Sequence, residues 1–256
     1  MGGNLGGSFG PLLMALLVAP YGRHNIAYFA IVAFVAILVM IPVCRWYKAY
    51  LRRVKWRPAN AVRHAPMPLP HGRTFFAIAI LLTLIFSKYI YMASLSSYYT
   101  FYLMHKFGVS VQQSQIFLFV FLLATAAGTL MGGPIGDRIG RKYVIWMSIL
   151  GTAPFSILMP HVSLAWTVVL SFCVGFMLSS AFPAILLYAQ ELLPNKLGLI
   201  SGLFFGFAFG IAGIASAVLG DMADHYGIEA VYNICAYMPL LGLVTWFLPD
   251  LKKVPR

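Results

Sequence analysis

The apolar residues of this chain fall into long, nearly unbroken blocks, and that spacing restricts the fold before any motif is considered. The blocks lie at roughly 1–20, 26–44, 74–104, 114–136, 143–160, 164–189, 197–220 and 229–248. An apolar run of 18 or more residues reads as a helix crossing a bilayer, so the pattern predicts about eight crossings. Barrel strands would be only about 10 residues long with alternating polarity. These blocks are longer and uniformly apolar, which leaves the helix as the spanning form that satisfies its own backbone. Hydrophobic residues make up 61% of the chain and charged residues 9%. A soluble domain carries about 25% charged residues, so a dispersed globular fold is excluded. The predicted fold class is all-α, a polytopic helix bundle in a lipid bilayer.

The formal net charge of +12 would fit a nucleic-acid binder, but its distribution does not. Arg45, Lys48, Arg52, Arg53, Lys55, Arg57, Arg63 and Arg73 share one loop. Arg138, Arg141 and Lys142 share a second, Lys196 lies in a third, and Lys252, Lys253 and Arg256 end the chain. Only Arg23 and Lys106 fall in the alternate loops, and Lys88 lies inside a segment. Basic residues concentrate in cytoplasmic loops. Both termini are therefore expected in the cytoplasm, as an even number of crossings requires. The stretch from Arg45 to Arg57 interleaves bases with Trp46, Tyr47, Tyr50 and Trp56, a pattern suited to an interfacial helix on anionic headgroups. No nucleic-acid partner is expected.

Cys44, Cys173 and Cys235 lie within or at the edge of apolar segments without metal-ligand spacing, so neither a disulfide framework nor a metal site is expected. Asp221, Asp224 and His225 have suggestive spacing but lie at an external helix end. No catalytic constellation of Ser, His and Asp or of Cys and His stands out. Neither an enzyme nor a cofactor is predicted. The start, Met1-Gly2-Gly3-Asn4, lacks the basic region of a secretory signal.

Two stretches resemble each other. Gly6-Gly7-Ser8-Phe9-Gly10 opens a segment ending near Tyr21-Gly22, and Gly206-Phe207-Ala208-Phe209-Gly210 lies in one ending near Tyr226-Gly227. A further segment follows each, with Tyr28 and Tyr232 near its start. Both copies run in the same direction, and six segments separate their starts. Parallel repeats of this kind build two-halved transporters. The expected organisation is then the last two helices of a first half at 1–44, a basic central loop at 45–73, and a complete six-helix second half at 74–256. On this reading the chain stops short of the first four of twelve helices, a truncated bundle.

Gly133-Pro134-Ile135-Gly136-Asp137-Arg138-Ile139-Gly140-Arg141-Lys142 joins the fourth and fifth segments. Its glycines permit a tight turn and close helix approach. Asp137 can accept from a helix N-terminus or pair with an arginine. The string resembles the cytoplasmic-loop signature of the major facilitator superfamily, Gly-x-x-x-Asp-Arg/Lys-x-Gly-Arg/Lys-Arg/Lys. Gly133, Asp137, Arg138, Gly140, Arg141 and Lys142 match it, and Gly136 lies within it. Because the motif precedes the last four segments, it corresponds to the copy between helices eight and nine. Gly6, Gly10 and Pro11 also resemble part of the helix-five signature of drug antiporters, where Met14-Ala15 replaces the final glycine pair.

The stretches Ile85–Ser94, Ser96–Leu103, Tyr188–Pro194 and Ser201–Gly210 are similar to the fosmidomycin-resistance family of bacterial exporters. That resemblance implies a multi-pass inner-membrane carrier that exports a phosphonate antibiotic by proton antiport, with a small-molecule drug as substrate. A monomer is expected. The alternatives are an inactive fragment, or a carrier of another small organic anion or a sugar on the same fold.

Lys88 lies at the middle of segment 74–104, too deep to reach the membrane surface easily. An ammonium there is costly and usually functional. Tyr91, Tyr98 and Tyr102 follow on nearly the same helical face, with Ser94 and Tyr99 beside them. A point charge with neutral donors suits an anionic ligand, so these six residues are the expected substrate site; the alternative is a structural lysine, neutral or bonded to carbonyls of a neighbouring helix. Asp137, Glu191, Asp221, Asp224, Glu229 and Asp250 all lie at segment ends. A mid-membrane proton carrier is therefore expected outside this chain, unless Lys88 serves.

Overall fold

The structure, a computed structural model, describes residues 2–18, 20, 29–54, 70–193 and 196–249. Among these residues there are only helices and short connections, and seven helices are long and apolar enough to cross a membrane. The eighth apolar helix, Leu5–Val18, is shorter. Tyr21, Gly22 and Tyr28 of the repeat, the basic loop from Lys55 to Leu69, Pro194 and the tail from Asp250 lie outside the described residues.

Helix α1 (Gly2–Leu13) carries Pro11 and continues as a π-helical turn over Met14–Val18. Proline lacks the N–H that the ladder needs, and a local change of helical register follows such losses. Helix α2 (Phe29–Val54) continues ten residues past the predicted end at 44. The basic-aromatic stretch expected as a separate interfacial helix is thus, as far as Val54, the end of the spanning helix. Arg45, Lys48 and Arg52 end the apolar block but not the helix, because lysine and arginine are good helix formers. No residue of the Ala33–Arg52 window is buried.

The remaining helices form one bundle. Helix α3 (His71–Phe107) ends at Gly108, and α4 (Val111–Ile139) begins after a capping box in which Ser110 and Gln113 bond each other's backbone. The span Arg141–His161 is broken into α5 (Arg141–Ile149), a 3-10 turn, α6 (Ala153–Leu158) and a second 3-10 turn. Helices α7 (Leu164–Leu192) and α8 (Leu197–Tyr226) are continuous. The last span is α9 (Ile228–Ala236) followed by a 3-10 helix over Met238–Phe247, where the sequence predicts one helix over 229–248. Pro239, at the start of the 3-10 segment, supplies no N–H to an α ladder.

Helix α3 packs against α4, α7, α8, α9 and the terminal 3-10 helix, so it is the axis of the bundle. Helix α4 packs on α7 through buried small residues: Gly128, Gly132 and Gly136 on α4 and Gly175, Ser179, Ala181 and Ala184 on α7. In lipid, where burial of apolar surface drives little, such close backbone approach and interhelical hydrogen bonds hold helices together. Ser148 and Ser180 share a hydrogen bond of 2.5 Å, Ser156 donates to the Ala236 carbonyl at 2.7 Å, and Ser87 donates to the Met238 carbonyl at 2.6 Å. Helix α1 joins the bundle along α4, where Phe9 and Phe119 stand 6.3 Å apart.

Candidate functional site

Lys88 sits at the middle of α3 and is 4% exposed. Among the described residues its ammonium has no hydrogen-bond acceptor and no carboxylate. It lies instead over two rings, 5.1 Å from the centroid of Tyr89 on its own helix and 5.2 Å from that of Phe182 on α7. Such contacts contribute about 0.5–2 kcal/mol, well short of what a charge loses on leaving water. The nitrogen is not sealed in: the one fully enclosed side-chain polar atom without a partner among the described residues is Thr245 Oγ1. The Lys88 nitrogen is thus buried without a polar partner among the described residues, yet not fully enclosed.

The rings continue outward. Phe182 meets Tyr89 edge to face at 5.8 Å and Phe205 of α8 edge to face at 5.1 Å. Phe209 stacks beyond Phe205 at 6.3 Å. A methyl added at Gly206 or Gly210 would meet nothing within 4 Å, so the α8 backbone beside these rings is bare. Sequence reasoning missed Phe182 and Phe205. They belong to other helices, and no spacing within one segment could have linked them to Lys88.

The other residues expected beside Lys88 are placed as follows. Tyr91, Tyr99, Tyr102 and Ser94 are buried, and Tyr98 is half-buried. Ser94 donates to the Tyr91 carbonyl at 2.8 Å. Tyr99 donates to Ser171 of α7 at 3.0 Å, and Tyr98 to the Ser216 carbonyl of α8 at 2.5 Å. Tyr102 stacks on Tyr232 of α9 at 4.1 Å and accepts from Lys106 at 3.1 Å. The shared helical face is present, and helices α7, α8 and α9 lie along it. These side chains tie α3 to its neighbours, whereas the Lys88 ammonium meets only the rings of Tyr89 and Phe182 among the described residues.

The signature read as a loop is mostly helix. Gly133 to Ile139 form the last two turns of α4, the chain turns at the single residue Gly140, and Arg141 starts α5. Gly140 has φ 115°, a backbone that side-chain-bearing residues rarely adopt. Around it Arg141 reaches three groups: Asp137 at 3.6 Å, Glu191 at the end of α7, and the Leu187 carbonyl at 3.3 Å. Lys142 donates to the Leu248 carbonyl and Tyr188 to that of Pro249, which fastens the end of the last span to the same side. Arg138 is exposed.

A lysine cannot reproduce the forked donor set of an arginine. Arg141→Lys is expected to lower the melting temperature by about 2–4 °C, the equivalent of about 1 kcal/mol for a chain of this size. Glu191→Gln is expected to cost less, and the double variant less than the sum, because the two share one interaction. Strict additivity in thermal melts of the four proteins would show that the cluster does not act as a unit.

Gly6 and Gly10 also face open space, with nothing within 4 Å of an added methyl. The repeat counterparts Gly206 and Gly210 are open in the same way. At the other end of the bundle His105 lies 3.5 Å from Glu229 and His225 lies 3.6 Å from Asp221. Among the described residues no group of three ligand-type side chains could hold a metal.

The described helices and the signature agree with what known proteins show. The family model of the Major Facilitator Superfamily matches residues 77–256. The chain is 59% identical over 250 residues to the fosmidomycin resistance protein of Escherichia coli K12, covering 98% of this chain and 61% of that protein. It is 34% identical over 254 residues to an uncharacterized MFS-type transporter, YfnC, of Bacillus subtilis, covering 99% and 62%. A gallate transporter of Pseudomonas putida is 29% identical over 134 residues, covering 50% and 30%. No solved structure matches the chain. The chain spans about three fifths of the length of the first two of these relatives. Family model, spanning helices and signature together establish that this multi-pass membrane chain belongs to the major facilitator superfamily.

Proposed function

We propose that the chain works as an efflux carrier for small phosphonate-type drug anions, of which fosmidomycin is the first to test. Lys88 carries this reading: it is a buried ammonium at mid-helix with no described counter-ion. Such a group is costly in a membrane and marks a ligand or ion pathway. The E. coli relative is named for fosmidomycin resistance. In this proposal Lys88 is the anion contact, and Tyr91, Ser94, Tyr98, Tyr99 and Tyr102 are the frame that holds it in place. The carrier acts as a monomer in the bacterial inner membrane with both termini cytoplasmic. It works by alternating access, with protons as the coupling ion, and performs no enzymatic step.

Expression in a fosmidomycin-sensitive bacterium tests the proposal. The inhibitory concentration is expected to rise above that of the empty-vector strain, and to fall back when a protonophore collapses the proton gradient. No rise, with the protein present in the membrane, would overturn it. A second reading has one observation in its favour. Relatives named as gallate and 4-hydroxybenzoate transporters align with about half of the chain, and an ammonium pairs with a carboxylate as readily as with a phosphonate. Lys88-dependent movement of a labelled carboxylate, without drug resistance, would select that reading.

A further inference from the structure

We propose that the Lys88 site is built for an oxyanion carried on an aryl group, and that it prefers such ligands to anions of the same head bearing a methyl. This rests on the reading of Lys88 as an anion contact and adds the chemistry of the ligand's other end. Three observations converge on it. The ammonium has no described hydrogen-bond partner, and its nitrogen is buried but not fully enclosed. What flanks it is aromatic: Tyr89 and Phe182 lie under the charge, and Phe205 stands edge to face against Phe182 at 5.1 Å. Phe205 is 41% exposed, and a methyl added at Gly206 or Gly210 of the same helix would meet nothing within 4 Å.

An incoming oxyanion gives the ammonium a stronger partner than ring faces do. The ring edges and faces of Phe182 and Phe205 then border whatever group carries the anion. Aromatic groups pack on such walls in edge-to-face or offset geometry and gain beyond their buried area. A bare or methyl-bearing anion would satisfy Lys88 and gain little from the rings. The oxyanion itself can be a phosphonate or a carboxylate, since both present the same charged acceptors to an ammonium.

The test is equilibrium binding to the full chain in lipid nanodiscs, with phenylphosphonate, benzoate, methylphosphonate and acetate as ligands. Each aryl anion is expected to bind about tenfold or more tightly than its methyl counterpart. Phe182→Leu and Phe205→Leu are each expected to reduce that ratio toward one, weakening the aryl anions more than their methyl counterparts. Two variants on separate helices keep the test sound if one of them folds poorly. Comparison of phenylphosphonate with benzoate then identifies the preferred oxyanion. Equal affinities for aryl and methyl anions would overturn the aryl proposal and leave Lys88 as an anion site. An aryl preference that survives both leucine variants would overturn it as well. Failure of all four anions to bind, or binding undiminished by Lys88→Met, would instead remove the anion-contact reading underneath it.

Discussion

Replacing Lys88 with methionine is expected to make the protein more stable and unable to handle its anion. Methionine matches the length of the lysine stem and fills the same space between Tyr89 and Phe182. The ammonium it removes is 4% exposed and has no described carboxylate or hydrogen-bond acceptor to offset its burial. On insertion scales a lysine at the centre of a spanning helix costs about 2.5–3.5 kcal/mol. Part of that cost is shared by the unfolded chain in the membrane, so a gain of about 1 kcal/mol is expected, or about 2–4 °C in melting temperature. Removing one partner of a desolvated charge pair costs about 2–5 kcal/mol, so anion affinity is expected to fall by about a hundredfold. The opposite signs are what separate a ligand contact from a structural group. Lys106 provides the contrast: it donates to the Pro160 carbonyl and to Tyr102, so Lys106→Met should lower the melting temperature. If Lys88→Met lowered it too, Lys88 would be holding the bundle together, and the anion reading would lose its support.

Hydropathy made the helices legible but not their ends. It finds where the chain leaves the hydrocarbon, and α2 shows the difference, because Arg45 to Val54 stay helical beyond that point. The breaks in the last span were written in the sequence at Pro239, yet a uniformly apolar window hides a proline from any average. The site divides in the same way. Period-3.6 spacing put Lys88, Tyr91, Tyr98 and Tyr102 on one face of α3, and that face exists. Periodicity says nothing about what lies opposite, and Ser171, Ser216 and Tyr232 come from three later helices to take up the tyrosines. Phe182 and Phe205, which flank the charge or continue its ring wall, could be found only once α7 and α8 were placed beside α3. Asp137 was readable as a partner for an arginine, and Arg141 is that arginine. Its link to Glu191 across the bundle was not readable, because it depends on where α7 ends.

The glycines of α4 are the other place where pattern and packing part, and they yield the largest expected loss of stability. Close approach was read at Gly133 and Gly136, but the backbones of α4 and α7 touch one to two turns earlier. A methyl at Gly128 would lie 2.0 Å from the Phe176 carbonyl oxygen, and one at Gly132 would lie 2.5 Å from that of Ser180. These are backbone atoms and cannot rotate aside, so the two helices must separate. A gap of 0.5–1 Å forfeits about a quarter to a half of each contact's dispersion energy along the interface, and overpacking of this kind costs about 1–3 kcal/mol or more. Gly128→Ala is expected to lower the melting temperature by about 6–12 °C if it costs about 3 kcal/mol. Gly133→Ala meets nothing within 4 Å and replaces a glycine inside a helix, so it is expected to be neutral or stabilising by up to about 1 kcal/mol. The comparison is made by thermal melting of the two purified variants. If Gly133→Ala were the damaging one, the α4–α7 crossing described here would be wrong. The crossing matters to the site as well. Phe182 lies two residues beyond Ser180 on α7, so a shift that relieves Gly128→Ala moves the ring under Lys88. A displacement of about 1 Å is enough to degrade a positioned contact. The surviving folded fraction of Gly128→Ala is therefore expected to bind its anion more weakly, although no residue of the site has been changed.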